Sequence, residues 1–235
     1  LEGVSNFRDM GGYRTAAGES LKWRTFFRSD TLSSLTDADM TTVCDLGVNT
    51  AVDLRYGDER AEEPSRFLGH AQVEVLELGL DERPGASFLD SFQASPDAAE
   101  TARTYLTENY SKYPFLYAKG YGTLMRRLAA GDRVIVHCPA GKDRAGTAAA
   151  LVLGVPRETV FEDYLLTNQY WDRAGRERPG MDPETVATIF SAREEYLNAA
   201  FSAIEGQCGT VETYLEDVLG LNAATLTALR AACLS

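Results

Sequence analysis

Apolar positions along this chain follow two alternating rhythms. Thr50 to Leu54, Val73 to Leu78 and Val134 to His137 are short runs rich in β-branched residues. The first and last are nearly continuous, as strands covered on both faces tend to be. Elsewhere the spacing is helical. Met40, Val43 and Leu46 recur at helical intervals behind a capping-box start at Thr36 and Asp39, and Gly47 suits the exit. Residues 97 to 130 read as two helices broken by Pro114. Pro156 opens a helix through Tyr170 that carries Val160, Phe161, Tyr164 and Leu165 on one face. Asp182-Pro183 opens another, running to about Ile204. A short helix from near Thr210 to Gly220 follows, then one capped by Asn222.

This order predicts an α/β layered fold, with a central, mostly parallel sheet flanked by helices and a helical C-terminal part. No repeat, low-complexity tract or linker divides the 235 residues, so one domain over 1–235 is expected. In it, 97–130 and 182–235 serve as packing elements or as a lid. The aromatic-rich stretch Tyr105, Tyr110, Tyr113, Phe115, Tyr117 and Tyr121 reads as helix core with a few exposed rings, or as the wall of a lid or groove.

Composition narrows the function classes. A hydrophobic content of 44% supports a substantial core. The longest apolar run, around Ala148 to Val155, falls well short of the roughly 20 residues that span a bilayer, so no integral membrane segment is expected. The opening LEGVSNFRDM lacks the basic-then-apolar order of a secretory signal, and cytoplasmic and secreted locations both stand. A net charge of −12 argues against nucleic acid as a partner. It does not argue against an anionic substrate, because a ring of backbone N–H groups and one Arg bind an anion inside a repulsive global field. Cys44, Cys138, Cys208 and Cys233 are scattered and only two histidines exist, so neither a metal nor another cofactor is expected. Cys44, Cys208 and Cys233 read as small buried hydrophobes.

One segment remains to carry chemistry. Arg133 to Ala150 is an apolar strand, a glycine-bearing turn and a helix start. The strand delivers Cys138 to its C-terminal end, where ligands gather in open α/β sheets. Gly141 and Gly146 permit a tight loop through Pro139, Ala140, Lys142 and Asp143, whose amides converge on one point with the first turn at Ala145. Such a nest binds a tetrahedral oxyanion and stabilises a thiolate beside it. Arg144, six positions after the cysteine, closes the loop and is able to fork onto two phosphoryl oxygens. His137 is expected to orient the loop through ring hydrogen bonds. The other internal cysteines, Cys44 and Cys208, have Thr50 and Tyr214 at the position matching Arg144, so the constellation is confined to this loop.

With these residues in place, HCPAGKDR resembles the signature of cysteine-based tyrosine phosphatases, and its Lys142-Asp143 pair resembles the atypical bacterial group. NFRDMGGYRT, FFRSDTLSSLTDADM, LGVNTAVDLRYGDER, EDYLLTN and YLEDVLGLNAATLTALR agree with that group, which covers nearly the whole chain and is least clear from Arg83 to Lys119. The resemblance implies a cysteine-phosphatase-like fold and hydrolysis of phosphate monoesters without a metal. Cys138 would form a cysteinyl-phosphate, an acid would protonate the leaving oxygen, and water would release inorganic phosphate, a product and inhibitor. Phosphotyrosine proteins are the implied substrates, with phosphoserine, phosphothreonine and phosphoinositides as extensions. For the acid, the resemblance favours Asp143, and Asp53 and Asp81 compete with it. Asp53 has the alternative of pairing with an Arg, and Asp81 that of a surface turn residue. A Lys in this loop resembles phosphatases that accept phosphoinositides, where it meets additional phosphates; its alternative is a solvent-facing Lys that raises local potential.

Three departures stand out. The position after the Arg is usually Ser or Thr, whose hydroxyl supports the thiolate as leaving group, and here it is Ala145. Thr147, two places along the helix, points elsewhere. The apolar helix after the loop is about one turn short, and Tyr56 replaces a small polar residue at the pocket mouth. Ala145 keeps a second reading open, a phosphate-recognising binding module without efficient turnover. A sulfurtransferase or arsenate reductase would need partners that Cys208 and Cys233, remote in sequence, do not obviously supply.

Overall fold

In the computed structural model, which describes residues 1–82, 97–151, 154–172, 174 and 180–235, the first half of the chain runs β1 (Arg8–Asp9), β2 (Phe26–Ser29), α1 (Asp37–Asp45), β3 (Thr50–Asp53), α2 (Gly57–Glu62) and β4 (Glu74–Glu77). Next come α3 (Ala98–Leu116), α4 (Ala118–Ala129), β5 (Val134–His137), α5 (Arg144–Ala150), α6 (Arg157–Leu165) and α7 (Thr167–Tyr170). The chain ends with α8 (Pro183–Phe190), α9 (Glu194–Cys208), α10 (Val211–Thr213), a wider π-type turn over Tyr214–Val218, and α11 (Ala223–Cys233). No helix among the described residues is long and apolar enough to cross a membrane.

The strands form one sheet in the order β1-β2-β5-β3-β4, parallel except for β1. Side chains alternate across a strand, and here the alternation sorts the core into two layers. Phe26, Val52, Val134 and Val136 face the large helical core, while Phe27, Ala51 and Ile135 face the layer that contains Val43 of α1, Phe67 and Val73. The central strand β5 is covered on both faces, which is why it reads as a continuous apolar run. Its neighbours align Ser29 and Asp53 with His137, so three C-terminal strand ends converge beside Cys138.

The strand β2 is not legible in the apolar pattern because Arg28 sits in its middle, 1% exposed. That charge is tolerated because it is paired, as described below. The expected helix starts are present: Thr36 and Asp39 form the capping box of α1, and Asp182, Thr210 and Asn222 cap α8, α10 and α11.

Three expectations are corrected. The helix expected from Pro156 through Tyr170 is two, α6 and α7, parted at Leu166, with Pro156 just before the first. Pro114 does not break the helix; α3 continues through it and breaks at Tyr117. A proline removes only its own N–H and crowds the turn before it, which a helix tolerates within a turn of its end. The Pro114 carbonyl accepts a hydrogen bond from Tyr214 Oη, pinning α3 to the π-type turn. The helix expected from Asp182 to about Ile204 is two helices, because the backbone at Ser191 is extended (ψ 146°). Tertiary contacts hold this break. Asn168 bonds Ala192 in both directions (2.9 and 2.7 Å), and Lys142 Nζ donates to the carbonyl of Ile189 (2.6 Å). The helix after the Cys138 loop runs to Ala150; Val152 and Leu153, within the apolar run, and residues 83–96, the first part of the least clear stretch, lie outside the described residues.

Candidate active site

Cys138 lies at the end of β5, fully buried beneath the turn that leads into α5. The carbonyls of that turn are tied outward. Thr31 N–H donates to Pro139 O (3.3 Å), Asn6 Nδ2 to Ala140 O (2.8 Å) and Arg28 Nη2 to Gly141 O. The N–H groups of Gly141, Lys142, Asp143, Arg144 and Ala145 have no protein acceptor among the described residues. A peptide unit that turns its carbonyl outward turns the next residue's N–H inward, so Gly141 and Lys142 present theirs inward, and the Arg144 and Ala145 N–H groups lie in the first turn of α5, an arrangement able to hold an anion. Gly141 makes the turn possible: its φ is +64°, and a Cβ there would lie 2.4 Å from the Ser29 carbonyl. Gly146 lets α5 pack closely, since a Cβ would meet Arg28 Nη2 at 2.8 Å.

Arg144 is held from three sides. Nη1 donates to Glu59 Oε2 (2.7 Å) and to the Leu54 carbonyl (3.2 Å), Nη2 donates to Glu59 Oε1 (3.2 Å), and the guanidinium lies 4.5 Å from the centre of the Tyr56 ring. Burial works against its charge, but the Glu59 carboxylate and the sulfur of Cys138 outweigh it and keep the group firmly protonated. Glu59 also accepts from the Tyr56 backbone N–H (2.8 Å), so one carboxylate caps α2 and orients the arginine. Sequence reasoning missed Glu59. Its signal was the spacing Tyr56-x-x-Glu59 at a helix start, which reads as a cap alone.

Pro139, Ala140, Lys142, Asp143 and Arg144 line a cavity of about 310 Å³. Tyr56, Tyr105, Tyr113, Trp171 and Phe190 give it aromatic walls. The aromatic stretch therefore serves both readings: Tyr110, Tyr117 and Tyr121 are core, while Tyr105 and Tyr113 reach the pocket.

The three candidate acids separate cleanly. Asp143 lines the cavity and accepts from Tyr110 Oη (2.7 Å). Asp53 is not a lining residue. It is buried under Arg55, whose Nη2 donates to it at 2.7 Å and whose backbone N–H donates at 2.9 Å. Burial disfavours the Asp53 carboxylate, yet the His137 ring and the Arg55 guanidinium outweigh it and hold its pKa below the ordinary value. Asp81 is 94% exposed and pairs with Arg60 (3.1 Å). Lys142 is buried rather than solvent-facing; besides its bond to Ile189 it lies 3.4 Å from the Ser191 carbonyl and from Asp143 Oδ1.

His137 departs from expectation. Neither ring nitrogen makes a hydrogen bond, and the nearest partner is Asp53 Oδ2, 3.5 Å from Nε2. Burial pushes its pKa down to about 4, so the ring is neutral and acts by filling space under the loop. Of the remaining cysteines, Cys233 is buried and Cys44 and Cys208 are half-buried, and burial raises the thiol pKa of Cys44 and Cys233.

Behind the loop lies a second network that no local pattern announces. Asp163 on α6 accepts from Arg28 Nη1 (2.8 Å), Arg8 Nε (2.8 Å) and Tyr13 Oη (3.1 Å). Arg28 passes this anchoring to the Gly141 carbonyl. Asn6, in the left-handed region at φ +56°, bonds both Arg8 and the loop.

Comparison with known proteins identifies the family. The family model described as "Tyrosine phosphatase family" matches residues 1–235. The triple specificity protein phosphatase PtpB of Mycobacterium tuberculosis is 31% identical over 271 residues, covering 98% of this chain and 96% of that protein. A candidate tyrosine-protein phosphatase of Cupriavidus necator is 29% identical, covering 95% of this chain and 84% of its own length. A tyrosine-protein phosphatase of Nostoc commune is 27% identical over 82% of this chain and 69% of its own length.

Proposed function

This chain belongs to the tyrosine phosphatase family, and from that premise we propose that it hydrolyses phosphate monoesters through a cysteinyl-phosphate on Cys138. One observation carries the reading: Arg144 and Asp143 line a single pocket together with Pro139 and Ala140, the residues that directly follow Cys138, and the amides of that turn have no protein acceptor among the described residues. The phosphoryl group enters the nest, where the loop amides and the Arg144 fork hold its oxygens and gain strength as charge builds in the transition state. The Cys138 thiolate attacks phosphorus, the P–O bond breaks, and Asp143 gives its proton to the leaving oxygen. Water then attacks the cysteinyl-phosphate, Asp143 takes a proton from it, and phosphate and thiolate are released.

The aromatic walls favour an aryl ester, which makes phosphotyrosine the first substrate of the proposal. The mycobacterial relative is named for triple specificity. Extension of this chain to phosphoserine, phosphothreonine and phosphoinositides is a second tier, in which the Lys142 ammonium exchanges the Ile189 and Ser191 carbonyls for a further phosphate.

Phosphate release from a phosphotyrosine peptide and a phosphoinositide panel, with chelator present, tests this for the wild type and Cys138→Ser. Turnover by the wild type and its loss in the variant are expected. If reduced wild type bound these ligands without turning them over, the enzyme reading would fail in favour of a binding module, with Ala145 as its cause.

A further inference from the structure

Asp143 is not alone in the pocket wall. Its Oδ1 accepts from Tyr110 Oη at 2.7 Å, and Tyr110 Oη lies 2.6 Å from Tyr164 Oη. A phenol has one proton to give, and Tyr110 gives it to Asp143, so Tyr164 is the donor to Tyr110. A directed chain Tyr164 to Tyr110 to Asp143 results. Both phenols are fully buried, and burial together with the Asp143 charge raises their pKa well above the usual tyrosine value, so neither loses its proton. Tyr110 is itself fixed by ring contacts to Tyr113, Tyr164 and Tyr196, whose centres lie 5.3, 6.2 and 5.7 Å away.

The consequence falls on the other oxygen. Lys142 Nζ also approaches Oδ1, at 3.4 Å, while Oδ2 has no protein partner among the described residues. The side chain keeps 22% of its surface exposed, and the residue lines the cavity. With Oδ1 committed as an acceptor, the transferable proton sits on Oδ2.

We propose that Tyr110, backed by Tyr164, is the positioning residue of the general acid: it occupies Asp143 Oδ1 and so presents Oδ2 to the leaving oxygen. This rests on the reading of Asp143 as the acid. In the first step the proton on Oδ2 moves to the leaving oxygen as its bond to phosphorus breaks and the S–P bond forms. Tyr110 keeps its own proton throughout and touches no reacting atom.

Leaving-group dependence separates this role from a structural one. Phenyl phosphate needs the acid because phenolate is a poor leaving group; 2,4-dinitrophenyl phosphate does not. Tyr110→Phe, which keeps the ring, is expected to lower kcat/KM about tenfold on phenyl phosphate, part of the ~10²–10⁴-fold effect of general acid catalysis. It is expected to leave the dinitrophenyl ester nearly unchanged. Asp143→Asn is expected to show the same selectivity more steeply, and adding Tyr110→Phe to it is expected to cost nothing further. Tyr164→Phe, a milder change, is expected to fall between wild type and Tyr110→Phe with the same pattern, and serves if Tyr110→Phe does not fold. Equal losses on both esters, no loss on either, or a further loss in the double variant would overturn the proposal. If Asp143→Asn alone showed no leaving-group selectivity, the acid assignment itself would fall, and the positioning role with it.

Discussion

Ala145 follows Arg144 with its side chain wholly buried. The nearest hydroxyl along the helix, that of Thr147, is already committed to the Asp143 carbonyl at 2.9 Å. In the proposed second step, the departing thiolate would therefore receive no hydroxyl donor from these two positions. A hydrogen bond to a charged group is worth about 1.5–3 kcal/mol, or roughly tenfold or more in rate. Ala145→Ser adds one oxygen to a full site and is the smallest change that restores the donor. Its steady-state turnover should rise about tenfold, and the product burst in rapid-quench kinetics should shrink. A rate unchanged from wild type, with no burst in either protein, would show that phosphoenzyme breakdown is not slow.

At the scale of elements, the active-site loop is held from behind by pieces of chain that meet nowhere in sequence. Strand β1 brings Arg8, β2 brings Arg28 and α6 brings Asp163. Burial disfavours the Asp163 carboxylate, but Arg28 and Arg8 outweigh it and hold its pKa low, while burial lowers that of Arg8 to about 10. Removing one partner of a buried pair leaves the other charges uncompensated, at about 3–5 kcal/mol. Asp163→Asn should therefore lower Tm by roughly 6–12 °C for a chain of this size. It should also reduce kcat/KM, because Arg28 then loses the carboxylate that aims it at Gly141. A thermal scan in which Tm moved by less than about 2 °C would show that the two arginines find other acceptors.

The whole molecule should be acid-sensitive in two stages. His137 is neutral in the fold, with its pKa lowered to about 4 from 6.5, so between those values the unfolded chain binds the extra proton. Stability is then fully present above pH 6.5 and falls as pH drops towards 4, by up to about 3 kcal/mol. Depressed carboxylates act below that window. Burial works against Asp39, but N–H groups of Thr36, Glu2 and Gly3 bring it down to about 2, so its contribution is lost between about pH 3.8 and 2. Urea midpoints should decline from pH 6.5 to 4, and His137→Gln should flatten that decline. An equal slope in both proteins would mean that His137 is not the group responsible.

What the sequence determined by itself is what depends on neighbours along the chain. Strand β5, the turn and α5 are contiguous, so Cys138, Gly141, Asp143 and Arg144 were legible together, as were the caps at Thr36, Asp182 and Asn222. Only the tertiary structure shows where the candidate acids lie: Asp53 under Arg55 and Asp143 on the pocket wall. It also supplied the groups that aim the loop, which lie 85 residues apart for Glu59 and Arg144, 113 for Arg28 and Gly141, and 33 for Tyr110 and Asp143. A buried polar side chain looks like an interruption in the apolar pattern until its partner is known. That is why Arg28 hid strand β2 and why the break at Ser191, held by Lys142 and Asn168, read as unbroken helix.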